Sequence, residues 1–232
     1  MKLKPIVLIA AMAAGGLPCL GWAADGAEIL KGQCVSCHAI TKPEGRTAEK
    51  VLERKGPDLE YAGVKFNREW LAGWLQNPTV IRQGGAMYTR AVKPGAPGTP
   101  DTFDPGALQP HPKLSAADAA AATEALMALG VSDGLVKKGA FKGEPAGSMA
   151  PLLFNKLRGC SSCHSAKPGS GGASGPELYT AGARLQPDYV VEFIQNPQKF
   201  DPKIWMPHLE LRDADIQKLS AYLLTLKEGA SK

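Results

Sequence analysis

The chain has 232 residues, 44% hydrophobic and only 6% aromatic, with 27 basic and 22 acidic side chains. That length allows one large domain or two of about 100 residues. The formal charge of +5 lends no support to nucleic-acid binding, and 26 glycines with 19 prolines predict many loops.

Residues 1–24 read as a secretory signal peptide. Lys2 and Lys4 form its positive region, and Ile6 to Leu17 its apolar stretch. Gly21-Trp22-Ala23 or Trp22-Ala23-Ala24 precedes the expected cleavage point, leaving Ala24 or Asp25 first. The apolar stretch is shorter than a bilayer span. No later segment is apolar enough to cross a membrane, so membrane association is not indicated after cleavage. Cys19 lies inside this signal, and Pro18 before it fits a lipidation site poorly. The mature chain keeps Cys34, Cys37, Cys160 and Cys163, and the expected location is the periplasm. Residues 25–131 are then neutral, and residues 132–232 carry the remaining +3.

The first predicted domain spans residues 25–131. A short helix over Gly26–Gln33 leads into Cys34-Val35-Ser36-Cys37-His38. Cys-x-x-Cys-His is the attachment signature of c-type haem. Each thiol can add across a haem vinyl group, and the histidine can reach the iron. The motif recurs at Cys160-Ser161-Ser162-Cys163-His164, so two covalently bound haem c groups are expected. Each haem would fill the centre of its own domain, which accounts for folding with few aromatic residues. Their propionates would bring the whole close to neutral.

The halves repeat beyond the motif. Gly56-Pro57-Asp58-Leu59 matches Gly175-Pro176-Glu177-Leu178 at an offset of 119 positions. At that offset Gly63 meets Gly182, Lys65 meets Arg184, Trp70 meets Tyr189, and Trp74-Leu75-Gln76-Asn77-Pro78 meets Phe193-Ile194-Gln195-Asn196-Pro197. Middle helices are predicted near Asn67–Gln76 and Pro187–Gln195. Trp70, Leu71, Trp74 and Leu75 form an apolar stripe on the first. Met87 falls opposite Met206, still without a gap.

A Pro/Gly-rich insert of 22 residues follows, near residues 88–113. It is expected to be irregular, either a docking element or a tolerated loop. Terminal helices follow, with Ser115 and Asp213 as caps. They match at an offset of 97, with Leu114 opposite Leu211. Residues 132–147 read as a linker, and residues 148–232 as the second domain. A short helix over Ser148–Arg158 leads into its motif. Ile216, Leu219, Leu223, Leu224 and Leu226 give its last helix an apolar side.

Short helix, Cys-x-x-Cys-His, Gly-Pro-acid-Leu, middle helix, methionine loop and terminal helix resemble class I cytochrome c. Two units in tandem resemble the soluble bacterial dihaem cytochromes c and the cytochrome subunit of flavocytochrome c sulfide dehydrogenase. The resemblance implies an all-α chain of two tandem class I domains, each a small helical bundle around one covalent haem. It implies His38 and His164 as proximal ligands, with the Pro57 and Pro176 carbonyls orienting them. Met206 is the implied sixth ligand of the second haem, and His208 is expected at the surface or beside the ligands rather than on the iron. In the first half the gapless repeat favours Met87. The alternative is His111, which stands opposite His208 when counted back from the terminal helix.

The implied function is single-electron transfer between redox partner proteins such as a dehydrogenase, an oxidase or another cytochrome. The chain would be a free shuttle or a subunit of a dehydrogenase complex, and not itself an enzyme. The alternative is a dihaem enzyme whose first iron is open or unusually ligated, acting on peroxide or a sulfur compound. A structural zinc protein could also use Cys-x-x-Cys pairs, but the adjoining histidines favour haem.

Overall fold

The computed structural model describes residues 25–99, 101–107 and 110–227. The expected signal peptide, with Cys19, lies outside them. The chain is mostly helical: α1 (Gly26–Ile29), α2 (Ala48–Glu53), α3 (Ala62–Lys65), α4 (Arg68–Gln76), α5 (Tyr88–Ala91) and α6 (Ala116–Met127) in the first half. The second half holds α7 (Ala150–Leu152), α8 (Ala181–Arg184), α9 (Pro187–Gln195) and α10 (Asp213–Thr225). Among the described residues no helix is long and apolar enough to cross a membrane.

Each half is built on its terminal helix. In α6 the buried residues Ala119, Ala122, Thr123 and Leu126 recur at helical spacing, and the many alanines favour helix intrinsically. Their small size lets α1 and α4 pack closely on α6. A methyl on Gly26 would collide with the Ala121 carbonyl. From α4 come Leu71 and Leu75, each 4% exposed. Burying one such leucine is worth about 2 kcal/mol. In the second half Ile216, Leu219 and Leu223 of α10 face α8 and α9.

The repeat is visible in the packing. Gly63 N–H donates to the Leu129 carbonyl at 3.0 Å, and Gly182 N–H to the Leu226 carbonyl at 2.8 Å. A Cβ on either glycine would strike a carbonyl of the terminal helix, Met127 in one half and Leu224 in the other. Glycine is therefore required where α3 and α8 meet their terminal helices.

Three expectations need correction. The helix leading into the second motif is shorter than expected, α7 continuing into a π-helical turn over Leu153–Leu157, while α1 continues into a like turn over Leu30–Cys34 and covers the expected span. The insert is not wholly irregular: β1 (Val92–Lys93) and β2 (Thr102–Phe103) pair antiparallel, Val92 with Phe103. Asp213 does not cap α10. Arg212 occupies the cap position, and the Asp213 carboxylate is drawn 2.6 Å from Lys142 Nζ. An acidic residue in the first turn still suits the helix dipole. Ser115 caps α6 as expected, its Oγ accepting from Asp118 N–H.

The segment between the halves is strapped to the second. Gly139 and Phe141 N–H both donate to the Asp188 carboxylate at 2.9 Å. Gln217 receives from Lys142 N–H and donates to the Ala140 carbonyl.

The halves meet across matched residues. Phe66 and Leu185 form an antiparallel bridge. Beside it, Asn67 N–H donates to the Arg184 carbonyl and Gln186 N–H to the Lys65 carbonyl. Asn67 Nδ2 donates to the Ala183 and Leu185 carbonyls, and Gln186 Nε2 to those of Gly63 and Phe66. Tyr61 stacks on Tyr189 with centroids 6.1 Å apart. Arg46 and Arg54 reach Asp201 at 2.9 and 2.7 Å.

Candidate functional site

Both motifs fold into the same turn. Cys37 and His38 N–H donate to the Cys34 carbonyl at 3.1 and 2.9 Å. Cys163 and His164 N–H donate to the Cys160 carbonyl at 3.2 and 3.0 Å. Three-residue spacing in such a turn puts both thiols on one side. No disulfide joins these four cysteines, and burial pushes the Cys34 and Cys160 thiols up.

Each histidine is held from behind. His38 Nδ1 lies 2.7 Å from the Pro57 carbonyl, and His164 Nδ1 lies 2.8 Å from that of Pro176. A carbonyl only accepts, so each Nδ1 carries the proton and each Nε2 presents a bare lone pair. Burial lowers the pKa of both rings, which keeps them in the neutral form that a metal needs. The Gly-Pro loop is tied to the motif through Leu59 N–H to Ala39 and Leu178 N–H to Ser165, both 2.8 Å.

The glycine before each proline forms a cradle. A Cβ on Gly56 would come 2.5 Å from His38 Cε1, and one on Gly175 2.7 Å from His164 Cε1. In the sequence these glycines are marked only by recurrence beside the same proline, a signal that does not reveal this role.

Opposite His38 stands another imidazole. The His111 ring centroid is 6.2 Å from that of His38, with the planes 48° apart. His111 Nδ1 is 2.9 Å from the Pro112 carbonyl, and its ring lies 4.5 Å from Trp74. Leu114 N–H donates to the Leu75 carbonyl at 3.0 Å and anchors this loop to the end of α4. The role of Trp74 as a wall for His111 was not legible, because nothing in the stripe on α4 distinguishes core from site.

Met87 closes the 3₁₀ turn Gly85–Met87. That turn is held by the second half: Gly85 N–H donates to the Ser174 carbonyl at 3.0 Å. Nearby, Arg82 donates to Ser165 Oγ and the Gly172 carbonyl. Met206 is half-buried in the loop before α10, its carbonyl accepting from Gln198 Nε2 at 2.8 Å. His208 is exposed.

Two thiols on one turn, an oriented neutral imidazole and a glycine cradle make a donor set that fits a thioether-linked haem. Cys34, Cys37 and His38 could hold one such group, and Cys160, Cys163 and His164 another. No curated protein and no solved structure matched the chain. Residues 152–227 match the family model described as Cytochrome c. That stretch, from the helix ahead of the second motif to the end of α10, is similar to a cytochrome c domain, which supports covalently bound haem c and electron transfer there.

Proposed function

We propose that the chain is a periplasmic dihaem c-type cytochrome passing single electrons between redox partner proteins. It acts as a free shuttle or as the cytochrome subunit of a dehydrogenase complex, without catalysing a reaction of its own. The observation that carries this is the duplicated proximal site: in both halves the histidine after Cys-x-x-Cys donates through Nδ1 to a Gly-Pro carbonyl. Bound haem would cycle between ferric and ferrous iron. The chain's own residues attach it, orient the proximal imidazole and keep it neutral. The interface of matched residues supports a single body that accepts an electron at one site and donates it at the other.

The test is a haem count on protein matured in cells that attach haem. The expected result is two haems per chain, one in a Cys160→Ala/Cys163→Ala variant, and two reversible one-electron steps in potentiometry. A single haem in the parent protein overturns the dihaem reading. N-terminal sequencing of periplasmic protein should begin at Ala24 or Asp25; an unprocessed start overturns the export reading.

A further inference from the structure

We infer that the first iron is held by two histidines, His38 and His111, whereas the resemblance implies His164 and Met206 for the second. The pair is therefore built unequal. The inference rests on the reading that the first motif carries a haem.

Four observations support it. First, the spacing fits. A metal–imidazole bond is about 2 Å long and each ring nitrogen lies roughly 1 Å from its ring centre, so two imidazoles in trans on one ion hold their centroids about 6 Å apart. His38 and His111 stand at 6.2 Å. Second, both rings have the right tautomer. Each Nδ1 is engaged by a proline carbonyl, Pro57 at 2.7 Å and Pro112 at 2.9 Å, so each Nε2 is bare.

Third, His111 is positioned from several sides. Trp74 packs against its ring at 4.5 Å and is itself fixed by donating from Nε1 to the Thr79 carbonyl. Three residues on, Leu114 is buried and hydrogen-bonded to Leu75. Fourth, the backbone turn that ends in Met87 is tied to the second half: Gly85 N–H donates to the Ser174 carbonyl, and a Cβ on Gly84 would strike Pro176.

The insert thereby has a purpose. Its hairpin is closed by the Lys93–Asp104 ion pair at 2.7 Å, and the chain after it returns to bring His111 over His38. The counterpart of His111 in the second half, His208, is exposed. A thioether raises the potential relative to an imidazole pair. Held in this way, the first haem would have the lower potential of the two.

The test uses the mature holoprotein, its Met87→Leu and His111→Ala variants, and near-infrared magnetic circular dichroism of the ferric state, quantified per haem. Two haems with one methionine-ligated signal and one bis-imidazole signal are expected. Met87→Leu should leave both signals intact, and His111→Ala should abolish the bis-imidazole signal while haem content holds at two. Two methionine signals in the parent protein overturn the inference. So does loss of a methionine signal in Met87→Leu, or a bis-imidazole signal that survives His111→Ala. Should His111→Ala fail to fold, the parent spectrum and Met87→Leu decide alone. A parent protein with one haem fails by count, which separates failure of the dihaem reading from failure of the ligand assignment.

Discussion

Phe66 and Leu185 pair across the two halves, and they are the same residue of the repeat, 119 positions apart. An antiparallel bridge between a residue and its own copy is what a local two-fold axis produces. The flanking hydrogen bonds obey the same rule: Asn67 to Arg184 is answered by Gln186 to Lys65. The halves therefore meet as a symmetric dimer would, although one chain joins them. Substitutions at the axis should act on the interface rather than on either half.

Gln186→Ala tests this. Its Nε2 serves the Gly63 and Phe66 carbonyls at 2.8 and 2.7 Å. Leaving two partly buried carbonyls without a donor costs about 1–3 kcal/mol. Asn67→Ala should cost a similar amount, and the double variant should be non-additive because the two side chains share one seam. Denaturant unfolding of the holoprotein provides the values; additive losses would mean that the two contacts are independent.

Asp201 holds the other edge of the seam. It lies 2.7 Å from Arg54 and 2.9 Å from Arg46, and all three side chains are largely buried. Burial pushes its carboxyl up, but hydrogen bonds and charge from Arg54 and Arg46 prevail and hold it below the usual range. Because the folded pKa is depressed, this stabilisation is present above about pH 4 and is lost as pH falls further. Asp201→Asn should cost about 1.5–3 kcal/mol at pH 7, since Arg46 and Arg54 each lose one charged partner while keeping Asp58. The difference from the parent protein should shrink below pH 4.

Much of this was legible in the sequence because it rests on short-range chemistry. The motif turns follow from local spacing, and α9 spans Pro187–Gln195 as its pattern predicts. The seam follows less directly: the sequence pairs Phe66 with Leu185 as copies, but nothing in it says that the copies touch. His111 was ambiguous for a different reason. Its position opposite His38 depends on where a Pro/Gly-rich loop ends, and no periodicity governs such a loop. The strands β1 and β2 are two residues each, too short for alternation to register. On α4 the apolar stripe hid two roles: Leu71 and Leu75 are buried core, while Trp74 turns half-buried toward His111.

Glu60 predicts an opposite pH effect. Burial, with Asp58 nearby, raises its carboxyl to about 7 despite Arg46 and Lys65. An acid with a raised folded pKa keeps its proton when the unfolded chain has lost it. Stability from this group is thus full below about pH 4 and falls as pH rises to about 7. Glu60→Gln, neutral throughout, should match the parent at pH 4 and exceed it at pH 8. Equal stabilities at both pH values would place the group outside this environment.

The glycine cradles predict a contrast between two kinds of Gly→Ala substitution. Gly73 sits exposed in α4, and a Cβ there meets nothing within 4 Å. Gly73→Ala should stabilise by about 0.5–1 kcal/mol through helix propensity. Gly175→Ala drives a methyl to 2.7 Å from the His164 ring, and Gly56→Ala drives one to 2.5 Å from His38. Either ring must then leave its proline carbonyl, releasing the Nδ1 contact that fixes the bare Nε2. The expected outcome is haem still attached through its two thioethers, but with the low-spin spectrum of that site lost while the other site is unchanged. Absorption and electron paramagnetic resonance of the two variants, compared with Gly73→Ala, read this directly; unaltered spectra would mean that the cradle does not position the proximal ring.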